Sequence, residues 1–345
     1  GNNEIEVMGM DAHHEWALNG PYLDKSLVRN YMWYNISGEM MEYAPNVRYC
    51  ELFLNGEYRG LYLMVETITD GEAGRLNLEE SYKGENMTGY LLRIDRPTEE
   101  EIETTRNIYS FVERMNISLE DVAIRYPGKN NLTPELAKEI EGDFARFEKS
   151  LYSFDYDKED YGYQNWIDMD NFVDYYLINE FTHNVDAGRF STYYYKEVGG
   201  KFKMCVWDFN NSCDNFVEDA FGAEGMFVGE KPFFFMLVKD EEFVERIISR
   251  YHEVRSTYFS DTWMERYIDE TMQWLGPAVE RNNERWRYAF TDYEPLQPES
   301  RNLHSHEEAV EQLKTWLRER GAWMDKNIDA LRAVAHPSRN KVYNN

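Results

Sequence analysis

Two aspartates stand in the strings Asn184-Val185-Asp186 and Trp207-Asp208-Phe209-Asn210, 22 residues apart. The residues between them read as a β-hairpin. Ser191-Thr-Tyr-Tyr-Tyr-Lys-Glu-Val198 and Lys201-Phe-Lys-Met-Cys-Val-Trp-Asp208 are rich in β-branched and aromatic residues, and Gly199-Gly200 supplies the turn. A hairpin returns the chain to its starting edge, so both carboxylates are expected at one end of a sheet. That is the arrangement a kinase needs. Asp186 would orient or deprotonate an attacking hydroxyl, and Asp208 would hold Mg²⁺ on ATP phosphates. Asn210 can add an amide oxygen to that hard-ligand set. Ser191 falls five places after Asp186, where the ordinary kinase pattern carries a metal-binding Asn. Asn184 is expected to order the loop. The ordinary alternative for each aspartate is a turn-stabilising or strand-end residue.

A phosphate site also needs cations. Arg93, on a strand over 88–95, is the first choice, and Arg29 and Lys25 on an early helix are the second. Glu66, closing a strand, could pair with such a cation. The usual glycine-rich phosphate loops are absent. His13-His14 and His304/His306 lack the partners a zinc site needs.

The composition narrows the partners. The chain has 345 residues and a formal net charge of −27, with no basic run, which argues against nucleic acid; the same field would attract a Lys- or Arg-rich protein substrate, and solubility alone is the alternative reading. The three cysteines, Cys50, Cys205 and Cys213, have irregular spacing, so neither a disulfide framework nor a zinc site follows. No apolar run is long enough to span a membrane. The chain opens Gly1-Asn2-Asn3 without Met, and an upstream export signal is expected to have been removed.

The elements that position these residues follow from pattern. Residues 1–20 read as turn-rich. Asp24 caps a helix over 25–36, and Val47–Leu54 and Tyr58–Glu66 form a hairpin through Asn55-Gly56. Pro97 ends the 88–95 strand, and 98–122 is expected to be partly helical. Arg125–Asn131 reads as a linker. Thr133-Pro134 opens a helix to about Ser153. Asp168 or Asp170 caps a helix over 171–183. Helices are expected over 240–258, 261–287 with a break at Gly276-Pro277, and 305–334. Phe233, Phe234 and Phe235 and the late tryptophans read as core, with a sugar-binding platform as the alternative. The fold class is α+β: a β-rich part over 1–125, a larger helical part over 126–335 carrying the 191–209 hairpin, and a tail over 336–345.

Several of these strings resemble the CotH family of spore-coat kinases. They are Tyr22-Leu-Asp24-Lys-Ser26-Leu-Val-Arg29-Asn30, Leu52-Phe-Leu-Asn55-Gly-Glu-Tyr-Arg-Gly60-Leu-Tyr-Leu-Met-Val-Glu66, Ile178-Asn-Glu180-Phe-Thr-His-Asn184-Val-Asp186 and Val206-Trp-Asp208-Phe-Asn210. The resemblance spans about residues 15–330. It implies an atypical, two-lobed protein-kinase-like fold. It also implies Mg²⁺-ATP-dependent phosphorylation of Ser in Ser-rich basic proteins, with Mn²⁺ as the alternative ion. Asn210 stands where some relatives carry a second Asp. Many bacterial members are exported, so an extracellular or cell-surface location is expected, and some members are known chiefly as adhesins. The rival expectations are therefore a binding module on a scaffold that no longer transfers phosphate, and a transferase that moves AMP.

Overall fold

The computed structural model describes residues 3–70, 75–76, 78–79, 87–96, 106–110 and 122–339. It is a mixed α+β fold. Where turn-rich chain was expected, three short strands begin it: β1 (Ile5–Val7), β2 (Met10–His13) and β3 (Trp16–Asn19). Helix α1 covers Arg29–Met40, four residues later than expected. Leu27 has φ 65, outside the helical region, so 24–28 form a turn. Asp24 still serves the helix start, because its carboxylate accepts from the Arg29 N–H at 2.8 Å.

Strands β4 (Val47–Leu54) and β5 (Glu57–Glu66) form the expected hairpin, and β3 adds to β5. Asn55 and Gly56 both have positive φ, 52 and 82, as a two-residue hairpin turn demands. Among the described residues the second sheet has five strands, in the order β10-β9-β6-β8-β7. Its members are β6 (Tyr90–Ile94), β7 (Arg106–Ile108), β8 (Val122–Tyr126), β9 (Thr192–Lys196) and β10 (Lys203–Cys205).

That sheet corrects two expectations. Arg125 and Tyr126 belong to a strand, not to a linker. Strands from before and after residue 126 pair with one another, so a division there would cut a continuous sheet. Of the acidic 98–122 segment only 106–110 and 122 are described, as β7, two residues after it and the first residue of β8, and the expected Pro97 end and helical part lie outside the described residues.

Helix α2 (Pro134–Leu151) starts on a Thr133 cap, and α3 (Met169–Phe181) on an Asp168 cap. From Asn171 to Phe181 every residue of α3 is buried, so this helix is a central post and not a surface element. Aromatic rings lock α2 and α3 to the sheet: Phe144 meets Tyr194 of β9 at 5.9 Å, and Phe172 meets Tyr194 at 6.0 Å. Phe233 and Phe234 join this core, while Phe235 is exposed. The C-terminal half continues through α4 (Phe234–Leu237), α5 (Glu241–Arg255), α6 (Asp261–Leu275), α7 (Pro277–Arg285), α8 (Tyr288–Thr291) and α9 (His306–Asn327). The break between α6 and α7 falls at Gly276-Pro277, as expected.

A fully buried ion pair joins α3 to α9. Arg320 donates to the Glu180 carboxylate at 2.7 Å, and both side chains are 0% exposed. Glu180 also accepts from the N–H groups of Phe227 and Val228, and Arg320 donates to the carbonyls of Ala223 and Gly225. The pair therefore fixes the 223–228 loop as well as two helices. Breaking one side leaves a buried charge uncompensated, at a cost of about 3–5 kcal/mol. Glu180→Ala is expected to lose stability of that order in chemical denaturation, and a loss under about 1 kcal/mol would contradict this role.

Candidate active site

The loop after α3 turns tightly around Asp186. Its carbonyl accepts from Phe190 N–H at 2.8 Å, and Gly188 N–H donates to Thr192 Oγ1 at 2.9 Å. Asp186 is half-buried and stands just before β9. The hairpin then runs out through β9 and back through β10, with Lys203 opposite Tyr195 and Cys205 opposite Tyr193. Its turn is wider than Gly199-Gly200 alone, because the paired strands stop at Lys196 and Lys203. As the hairpin geometry requires, the chain returns to the Asp186 end.

Strand β10 ends at Cys205, three residues before Asp208. From there α1 takes over the backbone. Asp208 N–H donates to Tyr34 Oη at 3.0 Å, and Phe209 N–H donates to Asn30 Oδ1 at 2.6 Å. Asn30 Nδ2 donates to Asn210 Oδ1 at 3.0 Å. Arg29 donates to the carbonyls of Ser212 and Cys213 at 3.0 and 3.1 Å. These contacts hold the loop in a costly backbone. Asp208 has φ 60, and His183, Ser191, Cys213 and Asp214 also have positive φ. Such strain gathers at functional loops and persists only where surroundings enforce it.

Two amides join the carboxylate loops. Asn211 Nδ2 donates to Asp186 Oδ2 at 2.7 Å. Asn184 Nδ2 donates to both Asn179 Oδ1 and Asp208 O at 3.0 Å, the ordering part expected of it. A third carboxylate, Asp95, follows the end of β6. Its Oδ1 accepts from Arg96 N–H at 2.9 Å, and it also accepts from the Ser191 N–H. Ser191 thus enters the site through its backbone.

The electrostatics are those of a site short of positive charge. Burial pushes the Asp208 carboxyl up, and nearby Asp186 and Asp95 push it further. Burial also raises Asp95; Arg93 opposes this and Asp186 adds to it. Among the described residues no three His, Cys, Asp or Glu side chains are grouped closely enough to hold a metal by themselves. Mg²⁺ does not require that, since it is commonly held by one or two carboxylates with substrate phosphates and water. Asp208 and the Asn210 amide oxygen are hard donors of the right kind, and the excess negative charge is what a cation would relieve.

The remaining expected residues divide. Arg93 lies on β6 opposite Tyr193, bonded to that tyrosine and close to Asp95, so it belongs to the site. Glu66 is buried and pairs at 3.4 Å with Arg75, and it also accepts from Tyr43 and the Asn46 N–H. Its cation is thus Arg75, not Arg93. Arg29 is 2% exposed and bonds Asp24 at 2.6 Å besides the two carbonyls. It anchors the Asp208 loop instead of taking the phosphate contact expected of it. Lys25 donates to Leu303 O at 2.7 Å and has Glu294 as its charged neighbour. It lines a cavity of about 430 Å³ with Tyr22, Trp286, Tyr288 and Tyr293, and none of the three site aspartates lines that cavity.

Sequence reasoning missed Asp95, Asn30, Tyr34 and Asn211. The signal for Asn30 was present, since it closes the Tyr22–Asn30 string; Asp95 showed only as the last residue of a strand.

The sequence profile of the family described as CotH kinase protein matches residues 1–324. The chain belongs to that family. No curated protein is similar enough to match it.

The raised Asp208 has a consequence for stability. A carboxyl raised in the fold favours folding fully below the ordinary aspartate range near about 4, and loses that contribution as pH rises through its raised value. Without metal, Asp208→Asn is therefore expected to melt above the parent chain at pH 7, with the gap closing toward pH 4. Thermal melts across that range check it; a variant less stable than the parent at pH 7 would show that the crowding is already relieved.

Proposed function

We propose that this CotH-family chain is a protein kinase that moves the γ-phosphoryl group of ATP to a serine hydroxyl of a basic, Ser-rich protein. The observation that carries this reading is the closure of the hairpin. It brings Asp186 and Asp208 to one end and ties their loops through Asn211.

Each residue has a distinct task. Asn211 fixes one oxygen of Asp186 and so sets the carboxylate's rotation; the other oxygen accepts the proton of the incoming hydroxyl. Asp208 and Asn210 would hold Mg²⁺, with Asn30 keeping the Asn210 amide oriented. The ion supplies charge neutralisation on the phosphates. Arg93 offers a guanidinium to the phosphates from β6. Asp95 adds negative charge near Asp208 and so strengthens the pull on a cation.

The substrate class follows from charge. A chain of net −27 attracts Lys- or Arg-rich segments and repels acidic ones. The proposed place of action is outside the cell or on its surface, following the habit of the family; no helix among the described residues is long and apolar enough to cross a membrane.

One observation favours a second reading, a surface binding or adhesion module. The cavity walled by Tyr22, Trp286, Tyr288 and Tyr293 is an aromatic-lined site apart from the aspartates, and a fold does not fix a function.

Incubation with Mg²⁺, γ-labelled ATP and a Ser-rich basic peptide separates the two. The parent is expected to transfer label. Asp186→Asn should lose about 10²–10⁴ of the rate while keeping its Mg-ATP thermal shift. Asp208→Ala should lose the shift itself. No transfer and no shift in the parent would leave the binding module.

A further inference from the structure

Lys231 sits in the turn before α4, outside every contact assigned so far. Its Nζ donates to Val185 O at 2.9 Å, the carbonyl next to Asp186. The same ammonium lies 4.0 Å from the centre of the Phe227 ring. Its stem passes against Gly188 so closely that a Cβ there would meet Lys231 Cβ at 3.0 Å. That glycine, at φ 77, lets the lysine approach the Asp186 loop.

A second cation flanks it. Arg189 follows Asp186 by three residues, its guanidinium 4.8 Å from the Phe190 ring, and its buried Nε has no hydrogen-bond partner among the described residues. Arg189 disfavours the Lys231 charge and Asp186 favours it, so two cations and a carboxylate lie within electrostatic reach of one another in a strongly acidic chain. Lys231 makes one hydrogen bond among the described residues, which leaves N–H groups to spend on something else. Burial and a neighbouring cation both cost free energy, and an anion arriving between Lys231 and Arg189 would return it.

We propose that Lys231, with Arg189 near it, binds the phosphoryl group beside Asp186 during its transfer. This rests on the kinase reading above. In that step the bond from the γ-phosphorus to the ADP oxygen breaks as the bond to serine Oγ forms. The hydroxyl proton passes to Asp186, and ADP carries away the electron pair of the broken bond. Charge on the three phosphoryl oxygens is what the two cations meet.

The surroundings of Lys231 give the test a second readout. Burial lowers its ammonium to about 8, Arg189 lowers it too, and Asp186, Glu230 and Glu180 oppose the drop. The cation is complete below that value and is lost as pH rises through it, so kcat/KM is expected to fall above about pH 8.

The experiment compares the parent with Lys231→Met and Lys231→Arg. Lys231→Met should lose about 100-fold or more in kcat/KM. It should also lose the excess affinity for a non-hydrolysable ATP analogue over ADP, about tenfold or more. Lys231→Arg should keep most of the rate and lose the alkaline fall. An active parent with a Lys231→Met variant equal to it in rate and in nucleotide preference overturns this inference alone. A parent that transfers nothing overturns the kinase reading and this inference with it.

Discussion

The structure turns on carboxylates held together against their mutual repulsion. Asp208 is raised by burial and then by Asp186 and Asp95. Like charges at short range each disfavour ionisation of the others, and low dielectric sharpens the effect. A fold that merely needed stability would not keep this arrangement. Here the neighbouring hydrogen bonds all serve to keep it: Asn210 N–H on Asp208, Asn211 on Asp186, and Arg96 and Ser191 N–H groups on Asp95. The result is a cluster of negative charge that the proposed Mg²⁺ would relieve, and Arg93, Arg189 and Lys231 are the cations proposed to meet phosphate.

Three parts of the fold converge on that point. The buried helix α3 leads into the Asp186 loop. The β9–β10 hairpin carries the chain out and back. Helix α1 then captures the returning strand by its backbone, through Tyr34, Asn30 and Arg29. Ending β10 early frees the Asp208 and Phe209 N–H groups from the sheet, and α1 supplies their acceptors. Positive φ at Asp208 is sustained because both neighbouring peptide groups are fixed from outside. The Glu180–Arg320 pair works further back, joining α3 to α9 and to the loop at 223–228. The site thus rests on elements drawn from most of the chain.

Much of this was legible in the sequence where local chemistry decides the outcome. Asn55-Gly56 fixed one hairpin, the Thr133-Pro134 and Asp168 caps fixed two helix starts, and Gly276-Pro277 fixed a break. That the Asp186 and Asp208 loops end on one side was readable because a hairpin between them leaves little freedom in where the chain returns. What pattern does not carry is pairing at a distance. Strand β6 lies about a hundred residues from β9, and nothing local announces that they are neighbours. That pairing erased the boundary near residue 126 and brought Asp95 to the site. Cations were hardest to place, since an arginine's partner is set by three-dimensional packing. Arg29 turned out to bond Asp24 and two carbonyls, and Glu66 to bond Arg75.

The most direct test is the anomalous signal of Mn²⁺ in crystals grown with a non-hydrolysable ATP analogue. The account predicts one peak bonded to Asp208 and Asn210, at about 2.2 Å as expected for a hard divalent ion with oxygen ligands. The terminal phosphate should lie between that ion and Lys231, facing Asp186. Metal and nucleotide bound elsewhere, for instance among Tyr22, Trp286 and Tyr288, with the Asp208 carboxylate bare, would contradict it.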